Sequence, residues 1–214
     1  MLATCAVCGG SVQVDSRTLP EPEGPPDFDT RPAEPLRSTL IQWVQMCPHC
    51  GYASEDLGLS HPEATGIVQS FAYQSVVEDQ TRPTSSRPFL CYAHLLERLH
   101  QPADAGWSCL HAAWVCDDLD EAVAATRCRA QAIELWQKGK NVGQSFGDDL
   151  VSEFALVTDV YRRMGQFENA IVTCAEALDI EDLLPVMEHL LRKQMTLIQA
   201  HDTSAHNLSE LLAR

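Results

Sequence analysis

Cys5-Ala6-Val7-Cys8-Gly9-Gly10 and Cys47-Pro48-His49-Cys50-Gly51-Tyr52 are two copies of one device, and their reading decides what the first part of the chain is. Two cysteines three apart in a tight turn place both sulfurs on one ion, and the glycine after the second cysteine supplies the positive φ that turns backbone N–H groups toward those sulfurs. Two such turns build a tetrahedral four-thiolate site from Cys5, Cys8, Cys47 and Cys50. Four thiolates leave no open position for water or substrate, so the metal is expected to be structural and the chain to carry no catalytic metal. One zinc per chain is the expectation. Iron in a rubredoxin-like site uses the same cysteine pattern, and spacing alone does not choose between the two. Paired C-x-x-C-G spacing argues against ordinary buried thiols. A redox dithiol calls for one C-x-x-C at a helix N-terminus, and neither copy precedes a helical pattern. His49, between two ligands, is expected to face solvent and is not assigned to the metal.

Around these turns the chain reads as short apolar pieces broken by proline and glycine. Six of the twelve prolines fall between Pro20 and Pro35, inside the 38 residues that separate Cys8 from Cys47. This places a Pro-rich loop over residues 19–36, leaving a ribbon whose strands run from Ser11 to Val14 and from Leu40 to Met46. A head of this size, residues 1–58, buries too little apolar surface to fold alone, so metal binding is expected to contribute the missing folding free energy.

From about Ser60 the texture changes to apolar residues every third or fourth position, which is helical periodicity. Residues 59–214 are therefore expected to form a helical domain. Ser60-His61-Pro62-Glu63 is a capping-box signature for a helix carrying Ile67, Phe71 and Val76 and ending before Pro83. Further helices are expected over 88–99, 105–116, 121–138, 149–164, 167–178 and 183–200, the last aligning Leu184, Met187, Leu191, Met195 and Ile198 on one face. Counting from Val151 as position one, Tyr161, Gly165, Ala170 and Ala177 fall at eleven, fifteen, twenty and twenty-seven, the tetratricopeptide pattern. Trp107, Leu110, Trp114, Ala125 and Ala132 make a poorer copy, in which His111 stands where a small residue is usual. The fold class is thus mainly α: a small four-cysteine zinc-ribbon or rubredoxin-like β head followed by a tetratricopeptide-like stack of antiparallel helices.

The 214 residues are 45% hydrophobic and 21% charged, with a formal net charge of −15, which suits a folded chain and repels a phosphate backbone. Residues 1–60 hold 3 basic and 8 acidic side chains, so the ribbon lacks the cationic surface that nucleic-acid binding needs. Nine cysteines with neither a basic n-region nor an apolar h-region at Met1-Leu2-Ala3-Thr4 point to a reducing, cytoplasmic setting, and no apolar run is long enough to span a membrane. Cys91, Cys109, Cys116, Cys128 and Cys174 lie in helical segments and are expected to pack as small hydrophobes. His94, His100 and His111 share no clean face with a carboxylate. Asp117-Asp118-Leu119-Asp120-Glu121 lacks the glycine and distal glutamate of a calcium loop. Nucleotide, protease and hydrolase signatures are absent, and no catalytic residue is assigned. Asp29, Arg31 and Arg37 either form a recognition patch or, the reading preferred, cap and tether the long loop.

Cys5-x-x-Cys8-Gly9, Asp29-Thr30-Arg31-Pro32, Arg37-Ser38-Thr39, Trp43-Val44-Gln45, Cys47-Pro48-His49-Cys50-Gly51-Tyr52 and Gly106-Trp107-x-x-Leu110-His111-Ala112-Ala113-Trp114 together resemble a family of uncharacterised bacterial proteins that join a zinc-ribbon-like head to a tetratricopeptide-like tail. The resemblance implies a bacterial cytoplasmic protein and brings no catalytic residue with it. Two classes of function follow. The first is an interaction protein whose partner is another protein, bound in a helical groove with Ser152, Asp159, Arg162 and Arg163 among its lining positions. The second is a redox or metal-handling protein built on an iron-loaded knuckle pair, with a nucleic-acid-associated ribbon as a weaker third.

Overall fold

Each cysteine turn is the tip of a two-stranded hairpin. β1 (Leu2–Thr4) and β2 (Ser11–Gln13) pair antiparallel with Ala3 opposite Val12, and Cys5 and Cys8 sit in the turn between them. β3 (Gln45–Met46) and β4 (Ala53–Ser54) repeat this around Cys47 and Cys50. The expected strand over 40–46 is therefore two residues long, and the preceding Arg37–Gln42 winds into a 3-10 helix. The reason is in the burial: Leu40 and Val44 are buried while Ile41 is 63% exposed, a spacing of four that suits helical winding rather than strand alternation. Trp43 Nε1 closes the same stretch by donating to Thr39 Oγ1 at 3.0 Å. This computed structural model describes residues 2–14 and 18–211.

The chain is mostly helical. The helix expected from Ser60 is two short ones, α1 (Ala64–Val68) and α2 (Phe71–Val77), parted at Ser70. Ser70 has an extended backbone, and its side chain accepts a hydrogen bond from Tyr73 N, so it caps a new helix and ends the run that the periodicity suggested. Phe71, read as a core residue, is 89% exposed, and Tyr73 is buried in its place. α3 (Arg87–Arg98), α4 (Pro102–Asp118) and α5 (Ala122–Asn141) follow close to expectation, with α4 and α5 packed as a hairpin. α6 (Leu150–Arg163), α7 (Phe167–Leu178) and α8 (Pro185–Gln199) complete the α-helices of the described residues. Asp149 caps α6 by accepting from Ser152 N at 2.7 Å.

Two compact units result, and their division is not the one drawn at residue 58. The first comprises Met1–Leu19 and Ser38–Gln144, so the cysteine hairpins and α1 to α5 belong together. The physical reason is that the head packs on the helices: β4 lies against α3, and buried Tyr73 of α2 hydrogen-bonds the backbone of Gly51 and Ala53. The second unit comprises Pro20–Arg37 and Ser145–Arg214. The Pro-rich stretch is thus not a loop of the ribbon but part of the second unit, where Phe28 enters a core with Ala155, Ala170, Cys174, Ala177, Leu191 and Ile198. It is tied down edge to edge by the C-terminal segment: Phe28 N donates to His206 O at 2.8 Å and Leu208 N to Pro26 O at 3.0 Å.

The alanines singled out as helix contacts, Ala125 and Ala132 in α5 and Ala170 and Ala177 in α7, are all buried. At such positions a small side chain lets helices approach closely. The α4–α5 and α6–α7 hairpins fall in different units, each with its own core.

Candidate metal centre

The four sulfurs of Cys5, Cys8, Cys47 and Cys50 lie within 4.8 Å of one another. Cys5 and Cys50 are 3.8 Å apart and Cys8 and Cys47 are 3.7 Å apart. An ion about 2.3 Å from each of four tetrahedral sulfurs would hold them roughly 3.8 Å apart, and these two pairs stand at that separation. The two turns are near copies in hydrogen bonding as well. Gly9 N donates to Cys5 O at 2.8 Å and Gly51 N to Cys47 O at 2.9 Å, while Cys5 N donates to Gly10 O at 2.9 Å and Cys47 N to Tyr52 O at 2.8 Å. Gly9 and Gly51 both take the left-handed backbone, φ 71° and 78°, which the reading of the motif requires.

Backbone N–H groups turned toward sulfur change the acidity of the thiols. The Gly10 N–H beside Cys8 draws that thiol down to about 7, against an opposing effect of burial. At Cys50 burial dominates and raises the thiol despite the Tyr52 N–H, and at Cys47 burial likewise outweighs the His49 and Cys50 N–H groups. A cation at the centre of the cluster reverses this balance, because four thiolates that repel one another alone are each attracted to it. His49 stands outside the shell, exposed, with Nε2 3.2 Å from Ser11 O.

The second turn is anchored to α2. Tyr73 Oη donates to Gly51 O at 2.9 Å and accepts from Ala53 N at 3.1 Å, and Gln74 Nε2 donates to Cys50 O at 3.2 Å. Tyr52 Oη in turn donates to Leu59 O at 2.6 Å. Sequence reading had not singled out Tyr73 and Gln74. The available signal was Ser70, a capping residue three before Tyr73, which sets the register that aims both side chains at the metal turn.

The remaining candidates behave differently. Among the described residues no other cluster of three or more histidines, cysteines and carboxylates is placed to hold an ion. Cys91, Cys109, Cys116, Cys128 and Cys174 are all buried. Cys116 and Cys128 face one another, their contact drawing Cys116 down to about 7 and raising Cys128, and Arg82 Nη1 lies 3.2 Å from Cys128 Sγ. Asp117 is not a calcium ligand but the partner of buried Arg129, whose Nη1 donates to it at 3.1 Å.

Asp29 is fully buried, accepts from Arg31 N at 3.3 Å and lies 3.7 Å from Arg163 Nη1, while Arg37 bonds Asp27 and Pro32 O. Tethering, not a recognition patch, is their structural role. The groove positions need the same correction. Asp159 and Arg162 are buried: Arg162 donates to Asp159 at 2.7 Å, to Asp202 O at 2.7 Å and to Ser204 O at 2.9 Å. The face of α6 expected to receive a peptide is covered by the protein's own Pro-rich and C-terminal segments.

Compared with models of protein families, with curated proteins and with solved structures, the chain matches none. No helix among the described residues is long and apolar enough to cross a membrane.

Proposed function

We propose that this protein is a non-catalytic, zinc-stabilised interaction module in which one zinc per chain, held by Cys5, Cys8, Cys47 and Cys50, is structural. The observation that carries this reading is the convergence of four thiols, two pairs of them 3.7 and 3.8 Å apart, since four thiolates around one ion would leave it no open coordination position. The anchoring of the Cys47–Cys50 turn to Tyr73 and Gln74 supports it further, since the metal then fixes helices as well as hairpins. The partner is another protein, and its docking site lies elsewhere than on α6, where Asp159 and Arg162 are already satisfied internally. Helical hairpins with alanines at their crossings support a tetratricopeptide-like ancestry for the scaffold.

The same shell accepts iron, and an iron-loaded protein would be an electron carrier. Metal analysis of the protein purified from its native host decides between them. One zinc per chain in a colourless protein is the expected result. A coloured protein holding about one iron per chain, with reversible bleaching on reduction, would overturn the structural-zinc reading.

A further inference from the structure

The first unit holds a cavity of about 420 Å³ whose wall is assembled from three parts of the chain. α4 supplies Asp104, Trp107 and His111, which follow one another at helical spacing and so share a face; α3 supplies Tyr92; the head supplies Trp43, just after the 3-10 helix, and Glu55, just after β4. The volume is that of a small-molecule or side-chain pocket.

Its chemistry is unusual in three respects. Four of the lining side chains are aromatic, and three of them are held by ring contacts: Trp43 meets His111 edge-on at 5.1 Å with its Nε1 bonded to Thr39, and Trp107 meets Trp136 at 5.5 Å. Two carboxylates, Glu55 and Asp104, lie at the cavity and are close enough to act on Tyr92. Among the described residues no lysine or arginine lines it. Burial lowers His111 to about 4, so at neutral pH the ring is an uncharged wall, and burial first, then Glu55, Tyr52 and Asp104, raises the Tyr92 phenol to about 12, so it too stays neutral. The pocket therefore offers aromatic surface and negative charge to whatever enters, with no basic side chain among the described residues that line it.

We infer that this cavity is an aromatic cage for a methylated ammonium group, with Trp43, Tyr92 and Trp107 as its π walls and Glu55 and Asp104 as its counter-charges. A trimethylammonium is matched on both counts: its methyl shell suits aromatic surfaces and its charge is drawn by ring quadrupoles and carboxylates together, while it needs no hydrogen-bond acceptor. The group reaches the site either on a free small molecule or on the side chain of a methylated lysine in a protein partner. This inference rests on the interaction-module reading for its biological use, while the binding itself is independent of which metal fills the cysteine shell.

Tryptophan fluorescence and calorimetric titration of the full-length, metal-loaded protein test it with choline, with 3,3-dimethylbutan-1-ol as the uncharged isostere, and with a trimethyllysine peptide beside its unmethylated form. Choline is expected to saturate with a Kd on the order of 1 mM, and the isostere to bind about tenfold more weakly or not at all. Glu55→Gln and Asp104→Asn, both at exposed positions, should each weaken choline severalfold without altering the isostere, and Trp43→Leu should abolish binding while the circular dichroism spectrum is kept. A methyl-dependent gain with the peptide beyond that seen with choline assigns the protein source, and equal affinities assign the free one. Equal binding of choline and isostere, or no saturation by choline at about 20 mM, would overturn the cage. A zinc protein that ignores choline sinks the cage alone, whereas an iron protein that binds it sinks the structural-zinc reading alone.

Discussion

The two units meet the same difficulty in different ways. Each contains a stretch that cannot hold itself together by regular secondary structure: the cysteine hairpins in the first, with strands of two or three residues, and the Pro-rich segment in the second. The first stretch converges on four thiols, where a bound metal would supply the missing energy. The second converges on buried charge. Asp29 faces Arg163, Asp159 faces Arg162, and Arg162 also binds the carbonyls of Asp202 and Ser204, so that three distant pieces of chain meet at two arginines of α6. A metal site depends on an outside component and is lost when that component is withdrawn. A buried ion network depends only on the chain, and it fails when one partner is removed and the other is left charged in the interior.

The largest expected effect follows from that contrast. Cys47→Ser should release the metal and, because the turn is anchored to Tyr73 and Gln74, should take α1 to α3 with it. The binding free energy at stake is on the order of 10 kcal/mol, comparable with the whole net stability of a domain. Thermal unfolding followed by circular dichroism should show a separate early transition for the first unit. Had the metal head been an independent domain ending at residue 58, helical signal would survive intact, and that outcome breaks the account.

Arg162→Ala comes next. It leaves Asp159 buried without its partner and frees the C-terminal segment, a loss of about 3–5 kcal/mol confined to the second unit. Metal content should remain at one per chain. Loss of the metal in this variant would show that the cysteine site depends on the ion network of the second unit.

A smaller effect concerns acid. The Ser204 hydroxyl and N–H, with His206, hold the Asp202 carboxyl well below the usual range, and at Glu210 burial is outweighed by His206, the Asn207 N–H and Lys193, so it too is lowered. A carboxyl lowered by folding contributes stability that is fully present above its unfolded pKa and is lost as pH falls through the folded value. The C-terminal clasp should accordingly loosen below about pH 4, seen as lower protection factors, that is, exchange relative to the intrinsic rate at each pH, over residues 202–211. Unchanged protection factors between about pH 6 and about pH 3 would mean that these carboxylates do not hold it.

Lys138→Ala is the smallest. The Lys138–Glu97 pair spans α5 and α3 at the surface, and its removal should cost about 0.5 kcal/mol or less by urea titration. A loss of more than about 2 kcal/mol would place surface charge, rather than metal and core, among the main supports of the first unit.

Much of this was legible beforehand for reasons that can be named. The cysteine turns declare themselves because the chemistry of a tetrathiolate needs fixed spacing and a glycine at a fixed place. The hairpins α4–α5 and α6–α7 are visible because amphipathic periodicity and crossing alanines are local properties. What escaped was long-range. Nothing local in Asp29 or Phe28 says that they will pack beside Cys174 and Arg163, since the pairing spans more than a hundred residues. Asp159 and Arg162 look like exposed groove residues until their partners from the other end of the chain are in place. The cage was illegible for the same reason: Trp43, Glu55, Tyr92 and Trp107 come from separate elements and become one wall only when the metal head packs on α3 and α4.

Hydrogen exchange of the full-length protein with and without a zinc chelator, read segment by segment, shows whether the metal holds the helices of the first unit as well as its hairpins. The account predicts that removing the metal strips protection from residues 2–14 and 43–98 together, helices included, while residues 150–199 exchange as before. Protection retained in α2 and α3 after the metal is gone, or lost equally in both units, would contradict it.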